Sequence, residues 1–215
     1  MGRVGAIVVA GGTGTRFGSE KQFLSLAGTS VAERAVAACR SVADPVVLVV
    51  PAHHGGEVHG ADEVVPGGPT RAASVRSGLR ALPEDTEVVV VHDAVRPLAR
   101  PELFEAVVAA LADGAAGAIC AVALADTVKR VAPGRSGGLS VVETLDRSVL
   151  VAVQTPQAFR REALVRAHEG DPEATDDAAL LEAGGLEVVV VAGDPDNLKL
   201  TTPADLARAE RLLGV

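Results

Sequence analysis

"VGAIVVAGGTGTRFGSEKQF", residues 4–23, joins a short apolar run to a glycine-rich loop. An apolar, β-branched run without alternation is typical of a strand that is covered on both faces, as the strands of parallel sheets are. Comparable runs follow along the chain, separated by segments in which apolar residues recur with helical spacing. Strands that alternate with helices predict an α/β fold around a mostly parallel central sheet.

The predicted elements cover most of the chain. The predicted strands are residues 4–10, 45–51, 62–65, 87–92, 117–124 and 187–192. The predicted helices are residues 30–42, 70–82, 101–112, 161–169, 176–183 and 203–213. Ser30, with Glu33 three residues later, is a capping-box pattern that marks the start of the first helix.

Residues 126–155 interrupt the alternation of strands and helices. Their sequence, "DTVKRVAPGRSGGLSVVETLDRSVLVAVQT", has two alternating segments around a turn rich in Pro, Gly and Ser. This pattern predicts a β-hairpin arm that projects from the layered body. Such an arm has little core of its own, and pairing with a second copy of the chain would bury it. We therefore expect one domain over residues 1–215, with an arm that forms a homodimer.

The composition argues against several classes of protein. The 215-residue chain has a formal net charge of −8, whereas a nucleic-acid-binding face needs clustered cations. No apolar run reaches the roughly 18 residues of a membrane-spanning helix. The two cysteines, Cys39 and Cys120, lie apart in aliphatic surroundings and are predicted to be buried. We expect a cytoplasmic protein that binds neither nucleic acid nor membrane.

The loop after the first strand fits neither standard nucleotide motif. A dinucleotide-binding G-x-G-x-x-G fails because residue 17 is Phe, and a Walker motif fails because no GK[ST] follows. A plain turn and a cradle for a triphosphate remain. Backbone N–H groups in glycine-rich loops bind anions, and Arg16 and Lys21 supply mobile cations. The candidate nucleotide-binding residues of this loop are Ala10, Gly11, Gly12, Thr13, Gly14 and Thr15.

A second glycine pair opens the segment "PGGPTRAASVRSGL", residues 66–79. Gly67 and Gly68 allow the chain to approach a planar group closely. Arg71 and Ser74 are three residues apart and share one face of the predicted helix. These four residues are candidates for nucleotide binding, and a helix cap with a surface arginine is the equal alternative.

Another strand ends in "HDAVRP". Ligands of open parallel sheets bind beyond the carboxyl ends of the strands, where a carboxylate beside phosphates is a natural Mg²⁺ ligand, so Asp93 is the candidate metal ligand. Lys199 follows the last strand, and with Arg96 and Arg147 it adds cations that suit two phosphorylated substrates. His92 is interpreted as structural, because no G-x-S-x-G elbow accompanies it.

Three histidines, His53, His54 and His59, lie close together in a glycine-containing segment. A metal site is one interpretation, but no carboxylate stands at ligand spacing on one helix face. A solvated loop is therefore favoured.

Seven motifs in order carry a family resemblance: "AGGTGTRFG" with "KQF", "GGPTRAASVRSGL", "VHDAVRP", "DTVKR", "LDR" with "QTPQAF", "TDDAALLE" and "NLKLTTPADL". Over residues 4 to about 207 the chain resembles the 2-C-methyl-D-erythritol 4-phosphate cytidylyltransferases. The resemblance implies a Rossmann-like nucleotidyltransferase fold of the nucleotide-diphospho-sugar transferase type, a β-arm that joins a homodimer, and a requirement for Mg²⁺. It also implies transfer of CMP from CTP to 2-C-methyl-D-erythritol 4-phosphate, with release of pyrophosphate, in the non-mevalonate isoprenoid pathway.

The resemblance implies roles for individual residues. Those that stabilise the transition state or position the acceptor phosphate are Arg16, Lys21, Arg147 and Lys199. Those that surround the nucleotide are Ala10, Gly11, Gly12, Gly68, Ser74, Asp93 and Ala94, with Asp93 next to the metal. Those that surround the polyol are Arg96, Thr127, Thr155 and Thr175. Because Thr127 lies in the predicted arm, we expect the partner subunit to complete part of the site.

A sister activity, ribitol 5-phosphate cytidylyltransferase, is the main alternative because its motifs overlap heavily with these. A guanylyl- or uridylyltransferase fits the "QTPQAF" and "TTPADL" segments less well. A non-catalytic nucleotide sensor of this fold would be expected to lack the loop cations or the strand-end aspartate, and both are present here. Arg16 and Lys21 are only five residues apart, which is closer than in many members of the family.

Overall fold

The computed structural model describes residues 2–11, 20–54, 58–134 and 137–215. Within these residues the chain forms eleven strands and six α-helices. The strands are β1 Arg3–Val9, β2 Ser25–Leu26, β3 Thr29–Ser30, β4 Val46–Val50, β5 Glu63–Pro66, β6 Thr86–Asp93, β7 Gly117–Ala123, β8 Lys129–Pro133, β9 Leu139–Thr144, β10 Val151–Arg160 and β11 Val188–Ala192. The helices are α1 Val31–Cys39, α2 Arg71–Ala81, α3 Pro101–Ala109, α4 Arg161–Ala167, α5 Asp177–Ala183 and α6 Pro203–Leu213.

Seven of the strands form the central sheet, in the order β11-β7-β10-β6-β1-β4-β5. All neighbouring pairs are parallel except those of β10, which runs antiparallel to both β6 and β7. The predicted α/β class with a mostly parallel sheet is therefore confirmed. Val9 at the end of β1 pairs with Val49 of β4 and with Asp93 of β6, so the carboxyl ends of these three strands lie at one edge.

Aliphatic side chains cover both faces of this sheet. On one face, Val8 of β1 and Val90 of β6 belong to a buried cluster with Phe104 of α3. On the other face, Ile7 of β1 belongs to a second cluster with Leu181 of α5. Neighbouring residues of one strand thus enter opposite cores, which explains why the strand sequences are continuously apolar.

The helix ends differ slightly from the predicted ones. The capping box at Ser30 is present: its hydroxyl accepts from the Glu33 N–H at 3.2 Å, and the Glu33 carboxylate accepts from the Ser30 N–H at 2.9 Å. The helix that begins there ends at Cys39 rather than at residue 42. The Ser30–Glu33 hydrogen bonds fix the start of the helix, so the sequence predicts the start correctly. Within the described residues, no such reciprocal pair of side-chain bonds marks the end.

The hairpin arm is shorter than the sequence predicts. Strands β8 and β9 form a separate two-stranded sheet, with Val131 opposite Val141. The predicted range 126–155 runs past this hairpin, because Val151 and Val153 belong to β10 and pair with β7 of the central sheet. Their alternating sequence fits a half-exposed strand in either place, and pairing with β7 decides the position. We use "β-arm" below for residues 129–144.

The β-arm has no core of its own. Leu139 and Val141 are 74% and 63% exposed. Arg130 and Glu143 form an ion pair across the two strands, and no arm residue enters a buried apolar cluster of the described chain. An isolated hairpin is marginally stable in water, so this apolar surface favours contact with another molecule.

Two predictions from composition concern the cysteines and the membrane. Cys39 and Cys120 are free and buried, as predicted, and burial raises the pKa of Cys120 to about 11. Both thiols are thus packing groups. Within the described ranges, the helices are too short or too polar to span a bilayer.

Candidate functional site

One part of the candidate site is backbone at the carboxyl ends of β1, β4 and β6. The Ala10 N–H donates to the Val49 carbonyl at 2.8 Å, and the Ala94 N–H donates to the Val9 carbonyl at 3.0 Å. The buried side-chain amide of Gln22 donates to the Ala10 carbonyl at 2.9 Å. These bonds fix the chain where the glycine-rich loop begins.

Gly11, Gly67 and Ser74 meet beside this edge. A Cβ added at Gly67 would lie 2.7 Å from the Ser74 Oγ, and one added at Gly11 would lie 3.0 Å from it. The buried Ser74 hydroxyl donates to the Thr70 carbonyl at 2.9 Å, which holds it in place, and the Gly68 carbonyl lies 3.5 Å from it. Only glycine allows the backbone to come this close to α2. The structure therefore brings together four of the residues predicted to bind nucleotide.

Asp93, at the end of β6, lies between two cations. Its Oδ2 accepts from the Lys199 Nζ at 2.8 Å, and its Oδ1 lies 3.4 Å from the Arg71 Nε. Burial would raise the pKa of Asp93, but the charges of Arg71 and Lys199 hold that pKa well below its usual range. The carboxylate is therefore ionised at neutral pH although it is buried.

Arg71 links Asp93 to a second buried carboxylate. Its Nη1 donates to the Asp177 Oδ2 at 2.7 Å, and the Asp177 Oδ1 lies 3.0 Å from the His168 Nε2. Burial would raise the pKa of Asp177, but the hydrogen bond from His168 and the charge of Arg71 lower it. Burial would likewise lower the pKa of Arg71, but the charges of Asp177 and Asp93 raise it. All three charged groups therefore stay charged.

A polar cleft of about 290 Å³ opens at this position. It is lined by Arg71, Asp93, Arg96, Val153, Gln154, Thr155, Gln157, Thr175, Asp176 and Lys199. Six of these residues are among the site residues predicted from the sequence: Arg71, Asp93, Arg96, Thr155, Thr175 and Lys199. With three cations and two carboxylates, the cleft suits a small anionic ligand that also carries hydroxyl groups.

His92 supports the cleft from inside the sheet. Its Nδ1 lies 3.1 Å from the Thr155 Oγ1, which itself accepts from the Asp93 N–H at 3.0 Å, and its Nε2 lies 3.2 Å from the Arg96 carbonyl. Because a carbonyl only accepts, Nε2 carries the proton. Burial lowers the pKa of His92 to about 4. A neutral, fully bonded ring agrees with the predicted structural role.

Other predicted site residues are not brought into the cleft. Arg147 is exposed after the β-arm, where its guanidinium donates to the Ala125 carbonyl, and Thr127 is exposed just before β8. Lys21 lies in a short 3-10 turn, Lys21–Phe23. The residues Gly12, Thr13, Gly14, Thr15 and Arg16 lie outside the described part of the chain, and their roles stay predictions.

Several polar residues of the site are missed by the sequence analysis. The Gln157 amide donates to the Asp176 Oδ2 at 3.1 Å, and the Asn197 amide donates to the Thr155 carbonyl at 2.9 Å. Arg96 in turn donates to the Asn197 carbonyl at 2.8 Å. The motifs "QTPQAF", "TDDAALLE" and "DNLK" contain these residues, but amide side chains at strand ends give no distinct sequence signal.

Two of the three neighbouring histidines, His53 and His54, contact the segment around Lys21, whereas the His59 N–H donates to the Glu33 Oε1 at 3.2 Å. The His53 Nε2 lies 3.0 Å from the Glu20 Oε1, and the His54 ring stacks on Phe23 with centroids 3.8 Å apart. Among the residues that the structure describes, no group of three His, Cys, Asp or Glu side chains is placed to hold a metal. His53 and His54 therefore pack against residues 20–23, which follow the glycine-rich loop.

Glycine-lined strand ends beside a cationic cleft, on a mostly parallel α/β sheet, are the arrangement of a nucleotidyltransferase. Sequence comparison then gives the particular family. The sequence model of the family described as "IspD: 2-C-methyl-D-erythritol 4-phosphate cytidylyltransferase" matches residues 4–215, and the chain belongs to this family.

Individual relatives agree with this assignment. The 2-C-methyl-D-erythritol 4-phosphate cytidylyltransferase of Streptomyces coelicolor is 45% identical over 98% of this chain and 85% of its own length. The bifunctional enzyme IspD/IspF of an Anaeromyxobacter species is 49% identical over 98% of this chain, which spans only 57% of that protein. The crystal structure of 2-C-methyl-D-erythritol 4-phosphate cytidylyltransferase from Thermus thermophilus superposes with a TM-score of 0.82 at 32% identity and covers both chains completely.

Proposed function

We propose that this protein transfers CMP from CTP to 2-C-methyl-D-erythritol 4-phosphate, forming 4-diphosphocytidyl-2-C-methyl-D-erythritol and pyrophosphate. The observation that carries this proposal is the buried Asp93 carboxylate, held ionised by Arg71 and Lys199 at the end of β6. Asp93 adjoins the glycine-lined strand end at Val9 and also lines the cationic cleft. One charged group is thus shared by a nucleotide position and an acceptor position. Family membership supports the choice of CTP and of the acceptor.

The reaction needs no general base from the protein. The second pKa of a phosphate monoester is about 6, so the attacking oxygen is already ionised at neutral pH. This oxygen attacks the α-phosphorus of CTP, and the bond from that phosphorus to the bridging oxygen of the β-phosphate breaks, so that pyrophosphate leaves. Catalysis then consists of aligning two polyanions and neutralising charge that develops on the α-phosphate.

We propose that the acceptor binds in the cleft. Lys199, Arg96, Thr155 and Thr175 all line the cleft, and the two threonines offer hydroxyl groups for the polyol. Burial lowers the pKa of Arg96, but a guanidinium stays protonated at neutral pH. We assign Lys199 to the acceptor phosphate, and Arg96 and the two threonines to the polyol.

The nucleotide would lie on the glycine-lined edge. Gly11 and Gly67 let the strand ends pack closely against Ser74 of α2. We propose that the base lies beside Ser74 and the backbone of Ala10 and Ala94. Lys21 follows the loop directly. We propose that Lys21, together with Arg16, neutralises the triphosphate during transfer.

Mg²⁺ is the proposed cofactor. Mg²⁺ is commonly bound by one or two carboxylates together with substrate phosphates and water, rather than in a cage made by protein alone. Asp93 offers one ionised carboxylate at a nucleotide-binding edge, which fits an ion that arrives with the triphosphate. When bound, the ion would neutralise phosphate charge, and Asp93 would hold it.

We also propose a homodimer through the β-arm. Leu139 and Val141 of the β-arm, and Val149 just after it, expose much of their apolar surface. Thr127 and Arg147, at the two ends of the arm, do not line the cleft of their own chain. A partner subunit that covers the arm would receive these two residues at its own cleft, where they would complete the acceptor position.

Pyrophosphate release tests the proposed function. Purified protein is assayed with CTP, ATP, GTP or UTP, each with 2-C-methyl-D-erythritol 4-phosphate and with ribitol 5-phosphate. We expect release only with CTP and the methylerythritol phosphate, and none from an Asp93→Asn variant prepared in parallel, which controls for contaminating enzymes. Higher kcat/KM with ribitol 5-phosphate would assign the sister activity instead.

A further inference from the structure

Three elements meet at a buried carboxylate that has no direct access to the cleft. Asp177, the first residue of α5, is fully buried and bonds Arg71 at the start of α2. Its other oxygen bonds His168 at the end of α4. Arg71 and Asp93 line the cleft, but Asp177 and His168 do not.

The bonding pattern of Arg71 leaves little freedom to its guanidinium. Nη1 bonds Asp177 at 2.7 Å, whereas Nε lies at the longer distance of 3.4 Å from Asp93. Nη2 has no partner within the described part of the chain. The shorter bond therefore fixes the plane of the group, and this plane decides which N–H edges face the cleft.

His168 fixes the carboxylate in turn. Its Nε2 faces an oxygen of an ionised carboxylate and therefore carries the proton. The side chains of His168 and Asp177 are 3% and 1% exposed, so water does not compete for the bond. The path from His168 through Asp177 and Arg71 to Asp93 is a continuous series of bonds from the core to the cleft.

We propose that Asp177 is a positioning residue that aligns Arg71, and through it Asp93, for the nucleotide. This proposal rests on the proposed function. The alternative is a buried ion pair that only joins α2 to α5. The two differ in one respect: alignment changes the affinity for CTP, whereas a weaker joint between helices changes only the fraction of folded protein.

Asp177→Asn is the decisive variant because it keeps the size and removes the charge. An asparagine can keep neutral hydrogen bonds to Arg71 and His168, but it loses the stronger charge-assisted bond that holds the Arg71 plane. We expect the KM for CTP to rise roughly 10- to 100-fold, the usual effect of changing a group that orients a directly binding residue. The dissociation constant of CTP, measured by isothermal titration without acceptor, rises similarly.

Arg71→Lys completes a double-mutant cycle. A lysine keeps a cation beside Asp177, which favours folding, but it cannot bond both carboxylates with a planar fork. If Asp177 acts through Arg71, adding Asp177→Asn to Arg71→Lys changes kcat/KM by less than about twofold. Urea unfolding confirms that each variant is folded at the assay temperature.

Asp171→Asn is the matched control. Asp171 pairs with Arg76, also on α2, but its side chain is 83% exposed and does not line the cleft. Its φ of 56° suits asparagine. We expect unchanged kinetics.

The outcomes separate the two proposals. Wild-type protein that releases no pyrophosphate overturns the proposed function and the positioning role with it. If the wild type is active, two results overturn only the positioning role. One is a wild-type KM for CTP in Asp177→Asn, and the other is a double variant in which the effects of the two substitutions on kcat/KM multiply.

Discussion

His92 lies between Thr155 and the Arg96 carbonyl without contact with solvent, and burial lowers its pKa to about 4. In the unfolded chain a histidine has a pKa of about 6.5. Between these two values the unfolded chain binds more protons, so stability falls as the pH drops from about 6.5 to 4, by about 3 kcal/mol if this side chain acts alone.

His92→Gln tests this pH dependence. Glutamine can accept from Thr155 and donate to the Arg96 carbonyl, but it does not titrate. We expect urea unfolding free energies of the variant to vary less between pH 6.5 and 4 than those of the wild type. At pH 7.5 kcat should stay within about tenfold, because loss of a general base costs roughly 10² or more. A larger loss in a folded variant would instead give His92 a role in proton transfer.

Lys21 is the loop cation that the structure describes. Lys21→Ala is expected to lower kcat by roughly 10²–10³, the usual effect of losing one preorganised charge-stabilising group. Steady-state pyrophosphate release measures this, with the change of the exposed α6 residue Arg211→Gln made in parallel as a control for loss of a surface cation. A normal kcat in folded Lys21→Ala protein would remove Lys21 from the transition state.

Residue patterns predict part of the site and omit another part for a physical reason. Asp93 is recognisable because a charged side chain at the end of a buried strand is unusual, and Arg96 and Lys199 are recognisable as cations in the loops that follow β6 and β11. Asp177 is not, because an aspartate at a helix start normally caps the helix. Here Asp176 is the cap, and Asp177 shares the buried face of Leu181, four residues on. The proposed positioning role of Asp177 is seen only from its contact with Arg71 of α2, which is distant in the sequence.

At the scale of elements, the glycine segment before α2 depends on close packing. A Cβ at Gly67 would lie 2.7 Å from the Ser74 Oγ, 3.2 Å from the Val49 Cγ1 and 3.3 Å from the Val50 carbonyl. Gly67→Ala should therefore displace the strand end or α2. We expect a loss of about 1–3 kcal/mol in unfolding free energy, the usual cost of overpacking, together with weaker CTP binding by isothermal titration.

Ser74→Ala added to Gly67→Ala is the informative second variant. It removes the nearest clashing atom but keeps Val49 and Val50, so part of the lost stability should return. Gly28→Ala would not serve as a control for a glycine-to-alanine change, because Gly28 has a φ of 81°, at which alanine is itself strained. Wild-type stability in Gly67→Ala would contradict the close approach that the structure shows.

Strand β10 shows where prediction of elements from sequence fails. The parallel strands are found from their apolar runs, since both of their faces are covered. β10 instead contains Gln154, Thr155 and Gln157, which are buried but hydrogen-bonded. Polar residues of this kind suggest a loop or an exposed strand, so the first part of β10 is predicted as arm and the rest is not predicted. Buried polar residues whose side chains are hydrogen-bonded have the same hydropathy as exposed ones, so the sequence does not mark them as buried.

At the scale of the whole molecule, cations are concentrated at one cleft although the chain as a whole is acidic. The chain has a net charge of −8, yet Arg71, Arg96 and Lys199 converge on one cleft. Local cations in a net-acidic protein attract small anions without binding polyanions along the surface. The composition thus argues against binding of polyanions along the surface, and the strand ends indicate the proposed substrate site.

The β-arm raises a question that only two copies of the chain can answer, namely whose cleft Arg147 serves. If Arg147 of one protomer completes the cleft of its partner, Arg147→Ala and Lys199→Ala disable different halves of one composite site. Each variant alone should have at most about one per cent of wild-type activity. A hybrid dimer, however, has one cleft that carries both defects and one cleft that carries neither.

Mixing the two variants in equal amounts, after subunit exchange at low denaturant, should therefore restore activity to about a quarter of the wild-type level, since half of the dimers are hybrids and each has one intact cleft. Sedimentation equilibrium checks that both variants remain dimers, and each variant treated alone controls for the exchange step. If Arg147 serves its own cleft, every chain in the mixture carries one defect in its own site, and no activity returns.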